Sequence, residues 1–285
     1  MDVRKPSEIE TLYIDFDNFF ASVAQQTNKH LRGRPVGIVP FAGTTRTCVI
    51  ACSREAKQHG VKSVMNVQEA KRLCPDLVLV PQEPDLYRRA HNALLSEISM
   101  VNPIDAVKSI DELVCKVQPA DRKTPHILGE QIKRRIANNV GSYITCSIGF
   151  AANRQLAKMA CKASKYTGSS YGNGLLVWRP EDMPGPLFSI SLEDIPGVGR
   201  NMLRRLHQAG ITSTEQLWNT APKQLHQLWR NVTGERLWYA LHGYAVQTPP
   251  SERSMYGHGR VLPPEARRLK DAREISRLLL TKAAR

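Results

Sequence analysis

The stretch Tyr13-Ile14-Asp15-Phe16-Asp17-Asn18-Phe19-Phe20 is the most informative part of this 285-residue chain. It continues an apolar, β-prone run that starts at Leu12. Side chains alternate along a strand, so Asp15 and Asp17 are expected on one side of it and their neighbours on the other. The strand end would then present a small anionic cluster of the kind that binds a divalent cation. Such a pair is more often a solvated turn or a cap, so a metal site requires a second acidic cluster.

The second cluster is Ser109-Ile110-Asp111-Glu112, in a segment predicted as a strand or hairpin over residues 107–117. If the two strands are neighbours in one sheet, Asp15, Asp111 and Glu112 come together. Three carboxylates around one or two Mg²⁺ ions suit in-line phosphoryl or nucleotidyl transfer. In that chemistry one ion activates the attacking hydroxyl and the other neutralises charge on the triphosphate.

The charge of the chain indicates a polyanionic partner. The formal net charge is +14 and the sequence pI is about 9.7, whereas the 41% hydrophobic and 23% charged content is ordinary for a globular protein. Lys and Arg release counterions when they neutralise phosphates, which favours nucleic acid. A basic protein without such a partner is the alternative. No apolar run approaches about 18 residues, and the polar start of the chain does not resemble a signal peptide. A cytoplasmic protein is therefore expected, without a membrane partner.

Cysteine and histidine give no metal-site pattern. No two cysteines form a C-x-x-C pair, and most lie in apolar runs, which predicts buried, reduced thiols. The eight histidines are scattered and receive no metal.

The order of predicted elements indicates an α/β arrangement followed by a helical region. Strands and helices alternate over residues 1 to about 180, which suits a sheet with helices on one face. Residues 27–84 have the short, mixed elements of a small insertion. From residue 192 to about 244 only helices are predicted.

A glycine-rich turn lies inside this helical region. Ile195-Pro196-Gly197-Val198-Gly199 leads into a basic helix with Arg200, Arg204 and Arg205, and the pattern is typical of a helix-hairpin-helix. Gly197 and Gly199 would let backbone N–H groups approach a DNA phosphate at a helix N-terminus. Residues 244–253 form a predicted linker. The basic piece that follows ends inside an apolar helical pattern, so we expect the chain to be truncated there.

Four segments resemble the motifs of Y-family DNA polymerases, the lesion-bypass enzymes, in order and spacing. Residues 15–23 are similar to the first catalytic motif, Ser109-Ile110-Asp111-Glu112 to the second, and residues 147–153 with Leu156-Ala157-Lys158-Met159-Ala160 to the third conserved segment. The helix-hairpin-helix lies where the family has its thumb. Together these segments cover residues 10 to about 245.

The resemblance implies an α+β right-hand polymerase with a ferredoxin-like palm. The palm would comprise residues 1–26 and 85–181, the fingers 27–84, the thumb 182–243, and an incomplete little finger 254–285. The catalytic acids would be Asp15, Asp111 and Glu112, which would bind two Mg²⁺ ions together with the backbone carbonyl of Phe16. Asp17 would shape the turn instead of binding metal.

The resemblance also implies a nucleotide site. Asn18 and Phe19 would lie beside the triphosphate, and Phe20 would be the steric gate that excludes a ribose 2′-OH, with ordinary core packing as its alternative. Arg54, Lys57 and Lys165 would meet phosphates, although Arg54 and Lys57 also fit a solvated helix face. DNA contacts would come from Gly197, Gly199, Arg200 and Arg204.

Several positions depart from the family pattern. Ala51, Arg54 and Lys57 stand where family members often have Thr, Tyr and Arg, and Tyr166 replaces the usual Pro after Lys165. The fingers segment is more similar to the UmuC-like bacterial branch than to the DinB-type branch.

The sequence thus predicts a low-fidelity translesion DNA polymerase that acts on primer-template DNA and dNTPs. It would work in the damage response, associated with the nucleoid. Sliding-clamp and damage-response partners would bind beyond residue 285. Two other functions stay open at this point, a catalytically silent DNA-binding accessory protein of the same fold and a nucleotide cyclase-like palm enzyme.

Overall fold

The computed structural model describes residues 3–165, 174–247 and 257–284, and these fall into two compact units. The first unit comprises residues 1–32 and 83–247, and the second comprises residues 33–82 and 248–285. The described strands are β1 Val3–Arg4, β2 Thr11–Phe16, β3 Val36–Val39, β4 Ala51–Cys52, β5 Val78–Pro81, β6 Ile104–Val107, β7 Glu112–Lys116, β8 Cys146–Ala151, β9 Leu175–Val177 and β10 Ala245–Val246.

Helices make up most of the remaining regular structure. They are α1 Phe19–Thr27, α2 Arg54–Gln58, α3 Val67–Leu73, α4 Pro84–Ser99, α5 Pro125–Arg135, α6 Arg154–Ala163, α7 Gly185–Phe188, α8 Arg200–Gln208, α9 Thr214–Asn219, α10 Pro222–Trp229, α11 Thr233–Leu241 and α12 Leu269–Ala283. The helical segment continues beyond α5 as a π-helical turn, Ile136–Val140.

A five-stranded mixed sheet organises the first unit, in the order β6-β7-β2-β8-β9. β2 pairs antiparallel with both β7 and β8, and β9 lies parallel to β8. The predicted strand or hairpin over residues 107–117 is a hairpin of β6 and β7. β2 is thus central, which explains its nearly continuous burial.

Helices cover both faces of this sheet. Alternate residues of β2, among them Leu12 and Ile14, pack in a core with α4 and α5. Tyr13 belongs to a different core that contains α6 and the helical region after residue 187. The expectation of helices on one face is therefore wrong. A helical pattern shows that a helix has an apolar side but does not show which face of the sheet that side covers.

The helical region of the first unit ends in a short strand that the sequence did not predict. β10 pairs antiparallel with β1, the start of the chain. Asn153 connects this region to the sheet. Its Oδ1 accepts the N–H of Leu156 and caps α6, while its Nδ2 donates to the carbonyls of Ala240 (2.8 Å) and Tyr244 (2.9 Å).

The second unit contains a three-stranded sheet in the order β4-β3-β5. Ser53 caps α2, because its Oγ accepts the N–H of Ala56. Of residues 48–52, only Ala51 and Cys52 form a strand. Upstream of it, Val49 donates to the Met65 carbonyl and Ile50 to the Ile38 carbonyl, so the segment changes partner at each residue.

All six cysteines are free, and all but the half-buried Cys48 are buried, which confirms the prediction that most of the thiols are buried. Burial raises the pKa of Cys115 and of Cys146 to about 12, so both thiols stay protonated at neutral pH.

The prediction of an α+β fold with a mixed sheet and a helix-hairpin-helix region is confirmed. Among the described residues, no helix combines the length and the apolar content needed to cross a membrane. The predicted domain boundaries stay predictions.

Candidate active site

Two of the three predicted catalytic acids face each other across adjacent strands. In the antiparallel pair of β2 and β7, Asp15 lies directly opposite Glu112. Asp111 occupies the turn just before β7, and its carbonyl accepts the N–H of Phe16 at 2.8 Å. The predicted acidic cluster depends on these two strands being neighbours in one sheet, and β2 and β7 are neighbours.

Two lysines neutralise the acids. The Nζ of Lys165 lies 2.5 Å from Oδ1 of Asp15 and 3.5 Å from Oδ1 of Asp17. The Nζ of Lys158 lies 2.8 Å from Oε1 of Glu112 and 2.9 Å from Oε2. Each acid of the cross-strand pair therefore has a cation in hydrogen-bonding contact.

Burial and the contact between Asp15 and Lys165 together determine the pKa of both groups. Burial raises the pKa of Asp15, because the contact with Lys165 only partly offsets the loss of hydration and because Asp17 and Glu112 repel its charge. Burial alone would lower the pKa of Lys165, but the charge and hydrogen bond of Asp15 outweigh it and raise that pKa. The lysine therefore remains an ammonium ion beside the carboxylate.

Asp17 is engaged by neighbouring side chains. Its Oδ1 accepts a hydrogen bond from Ser147 Oγ (2.8 Å), and its Oδ2 accepts one from Thr145 Oγ1 (3.0 Å). The next residue, Asn18, has a left-handed backbone with φ of 51° and precedes the first residue of α1. These contacts agree with a turn-forming role for Asp17.

The two phenylalanines that follow differ in their surroundings. Phe19 is buried in the core that contains α4, so its ring is not available to a ligand. Phe20 is half-buried, and its ring packs against that of Tyr87 with centroids 4.4 Å apart and planes inclined by 31°. A packed ring with part of its surface free agrees with either a gate or a peripheral core position.

The oxygen atoms of the predicted site residues are of the kind that binds a divalent cation. Carboxylate and carbonyl oxygens are the hard ligands that Mg²⁺ prefers, and Asp15 and Glu112 already hold ammonium cations. Asp111 is engaged by a neighbour, since its Oδ1 accepts a hydrogen bond from Ser109 Oγ at 2.6 Å. Within the described ranges, no three His, Cys, Asp or Glu side chains lie close enough to form a metal-binding group. The hydrogen bond from Ser109 leaves Oδ2 of Asp111 available, because an ionised carboxylate offers about four lone-pair sites.

The predicted DNA-contact residues lie around the start of α8. Gly197 has a φ of 102°, a conformation that favours glycine, and Gly199 caps α8 without a side-chain bond. Arg200 and Arg204 are exposed, and Arg204 donates to Asn201. Arg205 instead donates to the carbonyl of Leu228, so it binds within the helical region.

Arg54 and Lys57 are exposed on α2 of the second unit. Tyr166 lies outside the described residues, as does part of the predicted linker.

Two residues of the site were missed by sequence reasoning. Lys158 belongs to the third segment that resembles the family, and Tyr13 to the first strand. The sequence predicts no role for either side chain. The hydroxyl of Tyr13 donates to Oε2 of Glu112 at 2.9 Å. Strand alternation could have identified Tyr13, which lies two residues before Asp15 and on the same side of β2.

Two family models and several known proteins are similar to this chain. A model described as the impB/mucB/samB family matches residues 14–162, just over half of the chain, and a model of the DNA polymerase-iota thumb domain matches residues 193–244. DNA polymerase IV of Oceanobacillus iheyensis is 32% identical over 226 residues, which cover 79% of this chain and 52% of the relative.

A second relative and a solved structure extend the comparison. DNA polymerase IV of Sulfurisphaera tokodaii is 29% identical over 260 residues, covering 88% of this chain and 70% of that protein. The chain thus spans between about half and 70% of the length of these two relatives. The structure titled "Insertion ternary complex of Dbh DNA polymerase" aligns with a TM-score of 0.72 and 27% identity, covering 84% of this chain and 69% of that one. The similarity to the UmuC-like branch stays a prediction.

The family-model match, the named relatives and the acids paired across β2 and β7 lead to one assignment: the chain belongs to the impB/mucB/samB family, that of the Y-family DNA polymerases.

Proposed function

We propose that this chain is a DNA-directed DNA polymerase that adds dNMPs to a primer 3′-OH during low-fidelity translesion synthesis. The observation that carries the proposal is the direct cross-strand pairing of Asp15 with Glu112, with Asp111 held beside Phe16 by a backbone hydrogen bond. Family membership supports the same reaction, as do the relatives named DNA polymerase IV.

Asp15, Asp111, Glu112 and the carbonyl of Phe16 are the groups that would hold two Mg²⁺ ions. When bound, such ions lower the pKa of the attacking hydroxyl and neutralise charge on the triphosphate. Lys165 and Lys158 neutralise the same carboxylates in the structure described here. Lys165 would leave Asp15 when a triphosphate provides a more negative partner.

The remaining site residues are proposed to position substrates. Asn18, Phe19 through its backbone, Arg54, Lys57 and Lys165 would face the nucleotide, and Phe20 would exclude a 2′-OH. Gly197, Gly199, Arg200 and Arg204 would contact the DNA backbone, because exposed guanidinium groups and a glycine-rich helix start suit phosphate.

The wider assignment follows the family. Residues 1–26 and 85–181 would be the palm, 27–84 the fingers, 182–243 the thumb, 244–253 a linker and 254–285 part of a little finger. Primer-template DNA and dNTP are the proposed ligands, which is supported by the likeness to a Dbh structure titled as a ternary complex. A cytoplasmic, nucleoid-associated location and clamp or damage-response partners belong to the same proposal. No observation on the described residues favours a silent accessory protein or a cyclase.

Primer extension with Mg²⁺ on undamaged and abasic templates tests the proposal. Asp111→Ala and Glu112→Ala should each abolish extension, because each removes a carboxylate that would bind the metal ions. DNA binding, measured by fluorescence anisotropy, should stay close to that of the wild type. Asp105→Ala is the matched control, since this exposed acid on β6 pairs with Lys116 at 3.6 Å. Normal extension by Glu112→Ala would refute the assigned role.

A further inference from the structure

Glu112 is held by two groups that the proposed reaction does not otherwise use. The Tyr13 hydroxyl donates to its Oε2 at 2.9 Å, and the Lys158 ammonium contacts Oε1 at 2.8 Å and Oε2 at 2.9 Å. The same ammonium lies 5.2 Å from the centroid of the Tyr13 ring. The three side chains therefore form one connected cluster, named here the Glu112 clamp.

The sheet register places Tyr13 in this clamp. Tyr13 pairs with Val114, so Glu112 is its diagonal neighbour, on the same face of the sheet. α6 covers that face and brings Lys158 over the tyrosine ring. Tyr13 is only 2% exposed, so its ring cannot swing into solvent without opening the core around α6.

The clamp restricts the orientation of the Glu112 carboxylate and the number of its free lone-pair sites. An ionised carboxylate offers about four lone-pair sites, and the contacts from Lys158 and Tyr13 engage three of them. An ordinary phenol is protonated at neutral pH, so the Tyr13 hydroxyl is a donor to Glu112. Hydrogen bonds to a charged group are stronger than neutral ones, so the bonded orientation is favoured over free rotation about χ3.

We propose that Tyr13 and Lys158 are positioning residues that hold the Glu112 carboxylate in one orientation and present its remaining lone-pair site to a divalent cation. The inference rests on the proposed function, because it gives Glu112 a metal-binding role. Neither residue contacts the substrates in this assignment, and both act through Glu112.

The decisive variant is Tyr13→Phe, which removes one hydroxyl and keeps the ring. It should weaken binding of Mn²⁺ about tenfold and lower kcat for single-nucleotide insertion by a similar factor, with little change in KM for the dNTP, as is usual when a group that orients a metal ligand is lost. Mn²⁺ binding is measured from the loss of the free-ion EPR signal, with a dideoxy-terminated primer and dNTP present so that no turnover occurs.

The variant Lys158→Met distinguishes the effect of losing the orientation of the Glu112 carboxylate from the effect of losing the positive charge of Lys158. Removing an ammonium from the site favours cation binding, so Mn²⁺ should bind at least as tightly as in wild type, yet kcat should still fall about tenfold because the carboxylate is no longer held. Lys158→Arg should recover part of kcat. Lys162→Met is the matched control on the same helix, since Lys162 pairs with Asp194 at 2.7 Å, and it should leave kcat and Mn²⁺ binding unchanged.

A double-mutant comparison excludes a merely structural effect. In a Glu112→Gln background, Tyr13→Phe should cause no further loss of Mn²⁺ affinity, whereas a general packing defect would reduce it again. Wild-type values of kcat and Mn²⁺ affinity in Tyr13→Phe would overturn the inference while leaving the polymerase assignment intact. A wild-type chain that extends no primer would instead count against the proposed function, and the Mn²⁺ titration would still decide the role of Tyr13.

Discussion

At the scale of single residues, Phe20 shows how a packed ring can serve specificity. Its contact with the buried Tyr87 supports one side of the ring, and its half-exposure leaves the other available. A supported ring resists displacement by a 2′-hydroxyl, whereas a freely rotating one would move aside. The proposed steric exclusion by Phe20 would therefore depend on Tyr87 as well.

Phe20→Ala should admit ribonucleotides, because it removes the ring but leaves the acids in place. We expect the ratio of kcat/KM for rNTP over dNTP to rise at least about tenfold, which corresponds to about 1.4 kcal/mol of lost discrimination. Phe188→Ala, which removes a partly exposed ring packed edge-on against Trp218, is the control and should leave the ratio unchanged. Unchanged sugar discrimination in Phe20→Ala would return Phe20 to a packing role.

The candidate site could be predicted from sequence only where local pattern was sufficient. Asp15, Asp111 and Glu112 follow from strand alternation and from two acidic segments in suitable places, and the structure pairs Asp15 with Glu112. The contacts of Lys158 and Lys165 with the acids could not be predicted. They depend on how α6 and the residue that follows its C-cap lie against the sheet, which is a tertiary property.

At the scale of elements, the contact between α6 and β8 is unusually close. A Cβ added to Gly149 would lie 2.1 Å from the carbonyl oxygen of Ala157 and 2.1 Å from the backbone nitrogen of Cys161. Backbone atoms cannot move aside as a flexible side chain can. The absence of a side chain at Gly149 thus sets the height of α6 above the sheet, and with it the reach of Lys158 to Glu112.

Gly149→Ala should therefore destabilise the first unit by about 2–3 kcal/mol through overpacking, seen as a decrease in Tm of about 5 °C or more. Gly185→Ala is the matched control, because a Cβ there would meet no atom within 4 Å. A Tm for Gly149→Ala within about 1 °C of that control would contradict the close packing of α6 on β8.

Local signals identified most elements but not their arrangement. The β-prone run that starts at Leu12 and the basic segment after Gly199 correctly indicated β2 and α8. The strand order β6-β7-β2-β8-β9 and the two-residue strand β10 depend on long-range pairing. Two residues carry too little periodic pattern to predict a strand, and β10 is defined by its partner at the start of the chain.

At the scale of the whole molecule, charge is the property most directly tied to the proposed partner. A net charge of +14 attracts nucleic acid regardless of where the cations lie, so charge alone does not identify a binding surface. Exposed cations occur well outside the proposed DNA contacts, including Lys29 and Arg134 in the first unit. A test of the DNA contacts must therefore separate specific placement from total charge.

Salt dependence makes that separation. Each phosphate contact contributes about 0.9 to the slope of log K against log salt concentration, so Arg200→Gln/Arg204→Gln should reduce the slope for duplex binding by about 1.8 and weaken binding at moderate salt. Lys29→Gln/Arg134→Gln removes the same two charges from exposed positions outside the helix-hairpin-helix, so it should change the slope far less. Equal losses from the two pairs would mean that the general field of the protein, and not the start of α8, binds the DNA backbone. A loss confined to the first pair would place phosphate contacts at the residues that follow Gly199.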